Sequence, residues 1–128
     1  MREIKFRGMK ANGEWVVGYY LVYIPTDEHK IHYLSKILGM STAIVDKKTV
    51  GQFTGLLDKN GKEIYKGDRW QRGSYIGIVE FDFSGWCFKK AKDSGCYQFP
   101  SFYANASYGE IIGNQYENPE LAAQPKTA

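Results

Sequence analysis

From Trp15 to Ile24 the chain reads Trp-Val-Val-Gly-Tyr-Tyr-Leu-Val-Tyr-Ile, apolar at both alternating sets of positions. In a strand, Trp15, Val17, Tyr19, Leu21 and Tyr23 fall on one side and Val16, Tyr20, Val22 and Ile24 on the other. A strand of that kind is expected to be covered on both sides. The run is interrupted by Gly18 and three tyrosines and falls short of the roughly 18 apolar residues a membrane span needs, so no membrane partner is expected. The cover must come from the rest of the domain or from a second copy of the chain.

The residues around this run set the class. Ile4 and Phe6 alternate with Glu3, Lys5 and Arg7, the period of a half-buried strand, and Asn12-Gly13 is the strongest short hairpin signal because both residues tolerate positive φ. Pro25-Thr26-Asp27 ends the long strand; Ile31–Leu34 and Thr42–Val45 read as two short strands, with Ser35–Met40 between them as a loop or a single helical turn. Thr49–Gly55 and Leu56-Leu57 follow, then a turn cluster at Asp58-Lys59-Asn60-Gly61-Lys62. A second set of strands is expected at Glu63–Trp70, Tyr75–Phe83, Trp86–Phe88, Tyr97–Tyr103 and Tyr108–Asn114.

The fold expected is therefore mainly β, with at most a minor helix toward α+β: an N-terminal β-hairpin unit over residues 1–57, a turn-rich hinge over 58–68, an SH3-like small barrel over 69–117 and a tail over 118–128. In the tail, Asn118 and Pro119 suit a helix start that Pro125 limits to two turns. The whole is read as one domain, since 128 residues are enough for one core and too few for two ordinary ones. Aromatic residues make up 16% of the chain, which favours strands.

Three segments, taken in order and spacing, resemble the YopX family of phage and prophage proteins. They are Arg2–Arg7, the stretch from Thr49–Leu56 through Asp58–Asp68, and Ile112-Gly113-Asn114 through Tyr116–Leu121. The resemblance implies a β-rich protein of phage origin, carries no established activity, and supplies no catalytic residues. Gly8-Met9-Lys10 and Arg69-Trp70 depart from the family's usual residues. The family words themselves have a structural reading: Asp58-Lys59-Asn60-Gly61 suits a type I turn closed by a left-handed glycine, with the Asp side chain capping backbone N–H groups, and Gly67-Asp68 suits the same task at the next strand.

Chemistry-bearing residues are sparse. His29 and His32 would face opposite sides of a strand with no cysteine or acid cluster nearby, so they read as surface or loop histidines and no metal site is expected. Cys87 and Cys96 flank a turn signal at Asp93-Ser94-Gly95; with charges at Arg2, Glu3 and Lys5 where an export signal would be apolar, a cytoplasmic location and free buried thiols are expected. Glu80 and Asp82 share a strand face about 7 Å apart, which suits an acid/base pair but equally a solvated face, so an enzyme built on them is a remote alternative. The chain lacks phosphate-binding, dinucleotide-binding and serine-nucleophile motifs, and no cofactor is expected.

Binding is the class that remains. Trp70, Tyr75 and Trp86, joined by Tyr97 and Tyr103, are candidate groove aromatics, and Arg69, Arg72, Lys89, Lys90 and Lys92 could supply positive charge. The competing assignment places the tryptophans in the core. A net charge of +3, with ten basic and seven acidic residues in the first half and seven of each in the second, supports nucleic-acid binding only weakly. The expected role is a non-enzymatic accessory protein that binds or assembles, with a homo-oligomer first among its partners, a phage or host protein next, and nucleic acid as the alternative.

Overall fold

The structure is a computed structural model that describes residues 3–82, 85–89, 96–97 and 102–117. It is mainly β and divides into two compact units, Met1–Phe53 and Thr54–Ala128.

In the first unit β1 (Phe6–Met9) turns back into β2 (Trp15–Tyr23), and β3 (Glu28–Ser35), β4 (Gly39–Ile44) and the start of β5 (Gly51–Leu57) complete an antiparallel sheet in the order β4-β3-β2-β1-β5. The β1–β2 turn forms where Asn12-Gly13 places it: Gly13 takes φ 85°, and Asn12 Oδ1 accepts from Glu14 N at 3.0 Å. β2 can lie flush against β3 only because residue 18 is glycine, since a Cβ there would collide with the backbone carbonyl of His32. One face of the sheet closes on a core of Val16, Ile31, Ala43 and Val45, flanked by Phe6, Tyr20, Tyr33 and Val50.

His29 belongs to that inner face. The sequence reading made it a surface or loop residue, and the structure corrects this: β3 begins at Glu28, earlier than expected, and buries the imidazole. Tyr20 Oη meets Nδ1, and Nε2 lies 3.3 Å from Asp27 Oδ1.

In the second unit β5 runs on, and β6 (Glu63–Tyr65) lies beside it. β7 (Asp68–Arg72), β8 (Tyr75–Asp82), β9 (Gly85–Lys89), β10 (Cys96–Tyr97) and β11 (Glu110–Asn114) form an antiparallel sheet in the order β10-β9-β8-β7-β11. The turn before it forms as expected: Gly61 has φ 81° and donates to Asp58 O, while Asp58 Oδ1 accepts from Asn60 N at 2.8 Å. At the next strand Gly67 has φ 92° and Asp68 Oδ2 accepts from Tyr65 N at 2.8 Å.

The expected SH3-like barrel does not close. Among the described residues β10 and β11 are the two edges of an open sheet. Part of the strand expected at Tyr97–Tyr103 is instead α1 (Phe102–Asn105), which runs into a 3-10 turn at Ala106–Tyr108. These turns bury Phe102 and Ala106 with Ile64, Trp70, Val79, Trp86, Phe88 and Ile111 in a single cluster. Helical cover buries the apolar face that curling would otherwise have to enclose.

Cys87 is fully buried and disulfide-bonded, which corrects the free-thiol expectation for that residue; Cys96 is the chain's one other cysteine. The helix expected from Asn118 lies outside the described residues.

Candidate functional site

Among the described residues, the tryptophans singled out in the second unit do not line a groove. Trp70, 2% exposed, stacks on Phe88 with ring centroids 4.0 Å apart and donates from Nε1 to Ala106 O at 2.9 Å. Trp86 is 3% exposed and packs toward Phe102. Tyr75 is half-buried, edge-on to both Trp70 and Phe88. The tryptophans are therefore core residues, and neither presents a face on which a base or a peptide ring could stack. Of the two assignments open in the sequence, core or groove, the two tryptophans take the core.

The described basic members differ in exposure. Arg69 is 2% exposed, whereas Arg72 is exposed and engaged within its own unit, donating to Asn105 Oδ1 and lying 5.1 Å from the centre of the Tyr108 ring. Lys89 is half-buried on β9, opposite Ile78 on β8 and Cys96 on β10. Lys90 and Lys92 lie outside the described residues. Glu80 is half-buried opposite Cys87; Asp82 pairs through its backbone with Gly85, and its side chain lies outside the described set. Among the described residues no cluster of three or more His, Cys, Asp or Glu could hold a metal ion.

What the structure does assemble lies in the first unit. The alternation of β2 that turns Val16 and Tyr20 inward turns Val17, Tyr19, Leu21 and Tyr23 outward, and all four are open to solvent. Register extends this face across the sheet. Tyr19 pairs with His32 and His32 with Thr42; Leu21 pairs with Lys30 and Lys30 with Ile44; Leu34 pairs with Met40. Tyr19 is 66% exposed, Leu34 73% and Met40 52%. At the β3–β4 turn Ser35 Oγ accepts from Ile37 N and Leu38 N, and Gly39 completes the reversal with φ 73°. That turn displays Ile37 at 91% and Leu38 at 79% exposure.

Beside the Leu34–Met40 pair the face is indented. A recess of about 330 Å³ is lined by Ile4, Lys5, Val17, Tyr19, His32, Leu34 and Met40, among others. Polar groups of the face pair within the unit: Lys5 Nζ is 2.8 Å from Glu3, Lys30 Nζ is 3.7 Å from Glu28, and His32 Nδ1 is 2.9 Å from Thr42 Oγ1. Arg7 lies over the Trp15 ring at 4.8 Å. The surface is thus apolar with self-paired polar groups, the composition of an interface for another apolar surface rather than for a polyanion.

The sequence pointed to part of this face. Trp15–Ile24 is apolar on both sides, and within the unit the side bearing Val16 and Tyr20 is covered over the first part of the strand while the side bearing Val17, Tyr19, Leu21 and Tyr23 stays open. Ile37, Leu38 and Met40 fall in a segment that the sequence reads as a loop, and Leu34 and Ile44, though placed in short strands, join this face only through the β3–β4 register.

Residues 5–123 match the protein family described as YopX protein, across nearly the whole chain. No curated protein matches the chain significantly. No helix among the described residues is long and apolar enough to cross a membrane. Matched over almost its full length, the chain belongs to the YopX family.

Proposed function

We infer that this is a phage- or prophage-encoded accessory protein that acts in the bacterial cytoplasm by binding or assembling, with the outer face of the β2–β3–β4 sheet as its working surface. The observation that carries the reading is the exposure of Tyr19, Leu34, Ile37, Leu38 and Met40 on one contiguous face and turn. Water-exposed apolar area of this extent is unfavourable to keep open, and soluble chains retain it where a partner covers it.

The nucleic-acid alternative has less support. It needs Arg69, Arg72, Lys89 and Lys90 displayed beside stacking aromatics, and Arg69, Trp70 and Trp86 are buried. The compartment has its own readout in the Cys87 disulfide, because disulfides persist in oxidising compartments and are rare in a reducing cytoplasm. Blocking thiols in intact cells before mass spectrometry reports the oxidation state.

The role of the surface is tested with a photo-crosslinking amino acid placed at Leu34 and, as a control, at exposed Lys59, in cells where the phage or prophage is active. Protein adducts at position 34 and none at 59 are expected. Equal adducts at both positions, or none at 34, would remove the basis for the reading.

A further inference from the structure

Resting on the reading of this face as a binding surface, we propose that its partner is a second copy of the chain, packed face to face across a twofold axis that crosses β3 near Leu34. Three observations converge on this occupant. The first is area. The nine apolar side chains of the face and its turn are each at least two-fifths exposed. At about 100 Å² apiece they offer roughly 900 Å², on the scale of the roughly 800 Å² per partner of a standard interface.

The second is charge. A twofold interface sets each patch against its own copy, so an unpaired charge near the axis meets its like. Here Lys5 is matched by Glu3 and Lys30 by Glu28 within one chain, so neither brings an unpaired charge to the axis, and Lys36 in the β3–β4 turn is the remaining exposed cation of the face. A polyanion or a strongly acidic protein would find those lysines already occupied.

The third is relief. The Leu34–Met40 pair stands between a projection, the Ile37–Leu38 turn, and the recess of about 330 Å³. An axis lying in the interface and crossing β3 reverses strand direction, so each copy's turn comes toward the other's recess. The edge strand β4 adds a reason for shielding, since Gly39–Ile44 contains neither a charged residue nor a proline to discourage pairing with a foreign strand.

Sedimentation equilibrium on the full chain, from dilute to concentrated solution, is the test. A monomer–dimer equilibrium is expected, with Leu34→Glu and Met40→Glu each raising the dissociation constant at least tenfold. Leu57→Glu, at an exposed site off the face, should leave it unchanged. These exposed positions tolerate charge without unfolding, which circular dichroism verifies. Ile37→Cys protein mixed with Val17→Cys protein should give a mixed dimer with a short bismaleimide. A strict monomer at every concentration overturns the second copy, as does a dimer that Leu34→Glu leaves intact. Photo-crosslinking at Leu34 separates the two claims: a monomer that still gives adducts there keeps the surface and loses the second copy, whereas a monomer without adducts loses both.

Discussion

The carboxylate of Asp58 accepts the backbone N–H of Ile111 at 2.9 Å through Oδ2, across 53 residues of sequence, while Oδ1 accepts from Asn60 N and Lys62 N. One buried side chain thus holds the turn after β5 and the start of β11 together. Asp58→Ala strands three backbone donors and is expected to cost about 3 kcal/mol in urea unfolding. Asp58→Asn keeps one carbonyl acceptor and should cost less.

Trp70 and Trp86 share one core but differ in hydrogen bonding. Trp70 Nε1 donates to Ala106 O, whereas the buried Trp86 Nε1 finds no acceptor among the described residues. Both lose similar volume on change to phenylalanine, but only Trp70→Phe leaves a buried carbonyl unpaired. Trp70→Phe is expected to be about 1 kcal/mol more destabilising than Trp86→Phe by thermal or denaturant unfolding.

Gly18 is a packing requirement rather than a break in a strand. A methyl group there runs into the His32 carbonyl, so Gly18→Ala must push β3 away from β2. The expected loss is about 2–3 kcal/mol, with faster amide exchange confined at first to Tyr19–Tyr23 and Glu28–His32.

Burial, and secondarily the negative charge of Asp27, holds the Tyr20 phenol above its ordinary pKa. The folded state therefore keeps this proton at pH values where the unfolded chain has begun to release it. The contribution to stability is whole below the unfolded value of about 10 and is lost as pH rises from there through the folded pKa. Phenolate absorbance should show a late-titrating component that shrinks in Tyr20→Phe, and that variant should lose less stability than the parent above about pH 10.

Local chemistry made part of this architecture legible. Asn12-Gly13 and Asp58-Lys59-Asn60-Gly61 carry their turns in their own side chains, and the alternation from Tyr75 onward carries β8. The bond from Asp58 to Ile111 had no local signature, because it joins residues that only the fold brings together. Phe102 and Tyr103 read as strand residues by propensity, yet packing against Trp86 and Phe88 made that segment helical. The candidate surface was half legible: β2 announced an apolar side in need of cover, but Leu34 and Met40 joined it only through the β3–β4 register.

The claim at the centre of this account is that the face bearing Tyr19, Leu34 and Met40 is buried in the working protein. Hydroxyl-radical footprinting read by mass spectrometry measures that directly, by comparing dilute and concentrated protein. Labelling of Tyr19, Leu34, Ile37 and Met40 is expected to fall several-fold on concentration while that of Leu57 stays constant. Labelling of all five that does not change with concentration would contradict it.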